Sequence, residues 1–233
     1  MTAPGPLEIK ICGLSTEEAI DHAVAGGATH IGFIFFPKSP RNVTTEQARD
    51  LAARARGNVS IVAVTVDASD AELDAIVDVL KPDMLQLHGH ETIDRVRDVK
   101  TRFGLPVIKA VSIRDGADLR HAASYNGIAD RLLLDAKAPA GSELPGGNGV
   151  AFDWTLLASA LDASMDYMLS GGINENNVVQ ALEMTGTRAI DVSSGVESAP
   201  GRKDPSRITA FLDTVHSYER SRTTKPARAG SVQ

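Results

Sequence analysis

Eight short runs rich in Val, Ile and Leu recur along the chain, and each is followed by a longer stretch with helical patterning. The runs are LEIKI (7–11), HIGFIFF (30–36), VSIVAVTV (59–66), DMLQLH (83–88), PVIKAV (106–111), RLLLD (131–135), DYMLSGG (166–172) and RAIDVSSG (188–195). Many are almost continuously apolar, as parallel strands buried on both faces must be. Eight strand–helix units predict the α/β class and, within it, a single (β/α)8 TIM barrel. The competing arrangement is an open doubly wound sheet. That would carry an early Gly-rich dinucleotide fingerprint, which is missing here.

The helical stretches are punctuated as helices should be. Ser15, with Glu18 three residues on, reads as a capping box, and Gly26–Gly27 as a stop. The next helix opens at Thr44 or Thr45 and runs toward Gly57. A third ends before Pro82. The longest connection is AKAPAGSELPGGNGVAF (136–152), and a loop of that length inside a compact domain is usually functional or mobile. One domain is expected over 7–219, with loose tails at 1–6 and 220–233.

The chain has 233 residues, enough for one barrel with a large core. Its net charge of −6 is spread along the sequence with no basic stripe, which argues against nucleic acid as a partner. Local donors and helix ends, not global charge, bind an anion, so mild acidity is compatible with an anionic substrate. Cys12 is the lone cysteine, which excludes an intramolecular disulfide and a cysteine-rich metal site. A single thiol fits a reducing compartment. MTAPGPLE lacks the pattern of a secretory signal, and no apolar run reaches the ~20 residues that span a bilayer. The expected setting is cytoplasmic, without membrane association.

Barrel enzymes carry their chemistry at the C-terminal ends of the strands. Taken in order, those ends offer Cys12, Arg41, His88, Asp135, the SGG turn at 170–172 and the DVSSG turn at 191–195. Turn formation explains the glycines but not the thiol, the guanidinium or the carboxylate. Gly171 and Gly172 follow the seventh strand, and Ser194 and Gly195 the eighth, where barrels often hold a phosphate on backbone N–H groups. Cys12 is either a small buried filler or a base. As a base it would need a cation nearby, and Lys10, two residues away on the same strand face, could serve. An inward lysine could equally be a structural ion-pair partner. Asp135 could cap a turn, or be raised by partial burial into a proton donor. Arg41 reads as a solvated side chain or as a two-pronged carboxylate holder. His88 reads as structural or pocket-lining, and Asp191 as a substrate ligand or a turn anchor.

Taken together, KICGL (10–14), GFIFFPKSPR (32–41), LQLHG (85–89), LLLD (132–135), GGNG (146–149), FDW (152–154), LSGGI (169–173) and DVSSGVESAPGRKD (191–204) resemble the phosphoribosylanthranilate isomerases of tryptophan biosynthesis. The resemblance runs from the first strand to the last helix. It implies the barrel fold and an Amadori rearrangement of N-(5-phosphoribosyl)anthranilate, with no metal and no organic cofactor. It implies Cys12 as general base, Asp135 as general acid, and Arg41 facing the anthranilate carboxylate. Gly171, Gly172, Ser194 and Gly195 then form the phosphate turns, while His88 and Asp191 line the pocket; Lys10, from its place on the strand face of Cys12, is grouped with them as a substrate-binding candidate. Two rivals are a related phosphosugar isomerase and a non-catalytic phosphometabolite-binding barrel. The first should use paired carboxylates rather than a thiol, and the second should have lost the thiol or the carboxyl.

Overall fold

In the computed structural model the described residues are 5–136, 153–160 and 165–224. Eight parallel strands close on themselves in sequence order. They are β1 (Glu8–Cys12), β2 (His30–Phe35), β3 (Ser60–Thr65), β4 (Met84–Leu87), β5 (Val107–Ile113), β6 (Arg131–Ala136), β7 (Tyr167–Leu169) and β8 (Ala189–Val192). Between them lie α1 (Glu17–Ala25), α2 (Thr45–Ala52), α3 (Asp70–Leu80), α4 (Ile93–Phe103), α5 (Gly116–Ala123), α6 (Thr155–Ala160) and α7 (Val178–Thr185), and α8 (Pro205–Thr224) follows the last strand. The expected (β/α)8 barrel is therefore the observed fold.

Strand alternation divides the apolar residues into two cores. Ile9, Ile11, Ile31, Phe33 and Ile61 point outward and pack under the helices. Val62, Val64, Ile108, Leu133 and Met168 point inward and fill the cylinder with Cys12 and Ala189. This is why the strands read as continuous apolar runs: each serves both layers. The inward positions nearest the C-terminal mouth break the pattern with Cys12, Asp135, Ser170 and Asp191, all buried.

The caps follow the sequence with one shift. Thr44 and Ser69 each form a full capping box, with Gln47 and Glu72 respectively. At α1 the cap is Thr16, not Ser15: its side chain accepts from the Ala19 N–H. Counted from Thr16, the third helical residue is Ala19, which has no side-chain acceptor to return the bond, so Glu18 closes no box. After β8 the chain adds a 3-10 turn (Ser194–Val196) and a small antiparallel hairpin, β9 (Glu197–Ala199) with β10 (Arg202–Lys203), which the strand pattern did not reveal. α8 runs to Thr224, into the segment expected to be a loose tail. Arg220 bonding to Ser217 Oγ, and Arg222 to the Tyr218 hydroxyl, support that last stretch. The remaining tail positions 225–233, and the long connection from 137 to 152, lie outside the described residues. Among the described residues no helix is long and apolar enough to cross a membrane.

Candidate active site

A pocket opens at the C-terminal mouth of the barrel, where the strand ends meet. Cys12, Arg41, His88, Asp135, Asp191, Gly171, Gly172 and Ser194 all line it. Lys10 and Gly195 do not.

Lys10 lies one layer deeper, fully buried. Its Nζ donates to Asp191 Oδ1 at 2.8 Å, and Ser170 Oγ donates to Asp191 Oδ2 at 3.1 Å. Both of the sequence readings of Lys10 thus hold in part: it is an ion-pair partner and it stands beside Cys12. Burial pushes the Lys10 ammonium down, but the Asp191 carboxylate and Cys12 outweigh that and hold it up. Cys12 goes the other way from what a nearby cation alone would give. Burial pushes its thiol above the ordinary 9.0, Lys10 and Lys203 pull it down, and the Asp191 charge adds to the rise. Desolvation wins, so the resting sulfur is a thiol.

The room for this pair comes from a residue the sequence reading passed over. Gly32 on β2 is the register partner of Cys12. A Cβ there would stand 3.0 Å from Cys12 Sγ and 3.2 Å from Lys10 Nζ. The signal was a glycine inside an otherwise apolar strand, which marks close approach of another group.

Asp135, on β6, is buried, and its Oδ2 lies 3.3 Å from His88 Nε2. The two are close without being aligned for a hydrogen bond, because His88 Nε2 has no partner that meets the geometry. On the other side of the ring, His88 Nδ1 is 3.0 Å from Gln86 Nε2.

Arg41 is buried, not solvated. It does grip a carboxylate with two prongs, but the carboxylate belongs to the chain: Nε donates to Glu197 Oε1 at 2.7 Å and an Nη to Oε2 at 2.9 Å. Lys203 Nζ donates to the same Glu197 Oε1 at 2.7 Å and to Ser193 O at 2.9 Å. Ser193 Oγ in turn donates to Cys12 O. Arg41 and Lys203 thus share the Glu197 carboxylate beside the pocket. Burial pushes Glu197 up, but the Arg41 hydrogen bond and the Lys203 charge outweigh it and hold the carboxyl low. Glu197 and Lys203 sit on the hairpin that strand periodicity missed. Both lie in the DVSSGVESAPGRKD segment that carries the family resemblance, but no role was read for either of them there.

The two glycine turns lock onto each other. Gly171 has φ +86°, and a Cβ on it would meet Ala136 N at 2.4 Å. Gly195 is pressed against Ile173 O, where a Cβ would stand at 2.0 Å. Gly195 therefore buttresses the turn rather than lining the pocket. Asn177 Nδ2 and Asn174 Nδ2 both donate to Gly172 O, at 2.9 and 3.2 Å, and fix the first turn. Among the described residues, the backbone N–H groups of Gly171, Gly172, Ser194 and Gly195 donate no hydrogen bond. Of these four, Gly171, Gly172 and Ser194 line the pocket, and backbone donors without a protein partner are the chemistry an anion site uses.

A closed barrel with its polar and ionisable side chains gathered at the C-terminal mouth defines a TIM-barrel enzyme. A family profile described as N-(5'phosphoribosyl)anthranilate (PRA) isomerase matches residues 9–214. The chain is 61% identical over 212 residues to the N-(5'-phosphoribosyl)anthranilate isomerase of Rhizobium meliloti (strain 1021), covering 91% of this chain and 98% of that protein. It is 62% identical over 209 residues to that of Brucella canis, covering 90% and 94%. The crystal structure of phosphoribosyl anthranilate isomerase from Thermotoga maritima superposes with a TM-score of 0.82 at 34% identity, over 91% of this chain and 99% of that one. Another solved phosphoribosyl anthranilate isomerase, in complex with reduced 1-(o-carboxyphenylamino)-1-deoxyribulose 5-phosphate, has a TM-score of 0.79 at 32% identity, over 91% and 99%. The chain belongs to the N-(5'-phosphoribosyl)anthranilate isomerase family.

Proposed function

We propose that the chain catalyses the Amadori rearrangement of N-(5-phosphoribosyl)anthranilate to 1-(2-carboxyphenylamino)-1-deoxyribulose 5-phosphate, a step of tryptophan biosynthesis. The observation that carries this reading is the meeting, in one pocket of a family member, of a thiol on β1 and a carboxyl on β6. The ligand named for the related solved structure is a phosphorylated sugar bearing a carboxyphenyl group.

The turns of Gly171, Gly172 and Ser194 hold the phosphate, with Gly195 supporting them. Arg41, lining the pocket and held in place by Glu197, faces the anthranilate carboxylate. Held at both charged ends, the sugar lies between acid and base, and positioning of this kind lowers the barrier. Asp135 as a neutral acid gives its proton to the ring oxygen while the ring C1′–O bond breaks. Cys12 reacts as the thiolate, its resting proton having gone to solvent, and the cationic open Schiff base acidifies the C2′ hydrogen and stabilises the thiolate beside it. Cys12 takes that hydrogen as a proton, the electron pair of the C–H bond neutralises the iminium, and an enolamine forms. Tautomerisation gives the ketone. The thiol proton then returns to the Asp135 carboxylate through solvent, which restores the reactive thiolate and neutral acid, and proton uptake from solvent returns Cys12 to its resting thiol. Asp191 keeps Lys10 charged beneath the thiol.

The test is direct. Purified protein mixed with freshly made substrate should remove anthranilate fluorescence with saturable kinetics. A rival phosphosugar isomerase, or a sensor that only binds, would leave that signal decaying at the buffer rate.

A further inference from the structure

Inside the cylinder, one polar side chain on β4 is partnered at one end only. Gln86 is fully buried. Its Nε2 approaches His88 Nδ1 at 3.0 Å, while its Oε1 has no hydrogen-bond partner. Residues two apart on a strand share a face, so Gln86 lies one layer below His88. His88 Nε2 then faces Asp135 Oδ2 at 3.3 Å. The three side chains form a line from the interior of β4 to the end of β6.

The two orientations of the amide are unequal, and the hydrogen-bond network decides between them. With its nitrogen toward His88, Gln86 leaves one carbonyl oxygen unpaired. Reversed, Oε1 would accept from a protonated Nδ1 and an amino group with two donors would be unpaired in the same dry place. An under-used carbonyl is the more tolerable of the two. An amide nitrogen can only donate, so Nδ1 of His88 is the acceptor and the ring proton of the neutral imidazole resides on Nε2. That nitrogen is the one turned toward Asp135.

We propose that Gln86 is a positioning residue that holds His88 in its Nε2–H form and so aims a donor at the charge appearing on Asp135. This rests on the reading of Asp135 as general acid. As the carboxyl O–H bond breaks and the proton goes to the ring oxygen, negative charge develops on Asp135, and the His88 N–H meets it. His88 keeps its proton throughout. The contact is loose in the resting site and tightens only when charge is present, which is the condition for lowering a barrier rather than improving binding. The opposite tautomer would offer a lone pair to the Asp135 O–H and hold back the proton that the substrate needs.

The experiment uses the full chain labelled with 15N-histidine. Two-bond proton–nitrogen correlations near neutral pH report each tautomer, and a His88→Gln sample assigns the His88 signal among the 6 histidines. The expected wild-type pattern is Nε2–H. In Gln86→Met, which keeps the volume and removes the donor, the Nδ1–H form should appear, and kcat should fall on the order of tenfold with KM within about twofold. A wild-type His88 protonated on Nδ1 would overturn the proposal, as would a Gln86→Met enzyme with unchanged tautomer or unchanged kcat. If Gln86→Met does not fold, the wild-type spectrum alone still decides the tautomer. Full turnover by Asp135→Asn would instead remove the acid assignment, and this is separable because the spectrum requires no catalysis.

Discussion

Lys10 and Asp191 face each other across the seam that closes the barrel: they are register partners between β1 and β8, and their side chains meet at 2.8 Å. One ion pair thus joins the first strand to the last and also sets the charge beneath Cys12. Removing one member of such a buried pair leaves the other uncompensated, which costs ~3–5 kcal/mol. Asp191→Ala should lose that amount in urea denaturation, and Lys10→Met combined with Asp191→Leu should recover most of it. A single variant as stable as the parent would show that the pair does not hold the seam.

Gly32 gives a test of how tightly the base is placed. In Gly32→Ala the new methyl would press on Cys12 Sγ and on Lys10, which is pinned to Asp191. The chain should fold, while kcat falls on the order of tenfold or more, because sub-ångström misplacement is enough to slow proton transfer. Unchanged kcat would mean that the sulfur has slack to spare.

The barrel itself was legible because its cause is periodic. Each strand must satisfy two cores, and each helix is bounded by a local cap such as Thr44 with Gln47 or Ser69 with Glu72. Site candidates at strand ends were legible for the same reason: the architecture fixes which end of a strand carries chemistry. What could not be read was pairing between distant residues. Arg41 was visible as a guanidinium able to hold a carboxylate, but nothing local shows that Glu197, 156 positions away, is the carboxylate it holds. Nor does the spacing of Lys10 and Cys12 reveal that desolvation outweighs the cation, since burial is a property of the closed cylinder. Gly32, Gln86 and Glu197 act through neighbours on other strands or turns, or through a partner one layer up, and a lone residue type does not disclose that.

Glu197 should leave a signature in the pH dependence of stability. Its folded carboxyl titrates below the ordinary 4.5. Such a group stabilises the fold fully above the unfolded value, and that contribution is lost as pH falls from 4.5 through the lower folded value. Glu197→Gln should therefore lower stability at neutral pH and flatten the curve on the acid side. Equal acid sensitivity in parent and variant, followed by chemical denaturation, would contradict this.

The raised thiol of Cys12 predicts a rate that follows its ionisation. Below the ordinary value of 9.0, the thiolate fraction grows with pH, so the log rate of Cys12 alkylation by iodoacetamide, which needs only the thiolate, should climb with a slope near one. Lys10→Met removes a charge that pulls the thiol down, so at any given pH that variant should be slower. An alkylation rate flat from neutrality upward would exclude a resting thiol.

The most direct test of the whole account is steady-state turnover of N-(5-phosphoribosyl)anthranilate by Cys12→Ala and Asp135→Asn, each checked for parental folding. Loss of one proton-transfer group is typically worth 10²–10⁴-fold, so both variants should fall by about that factor in kcat while still binding a product analogue. Turnover near the parental rate in either variant would contradict the assignment of that group to the proton relay.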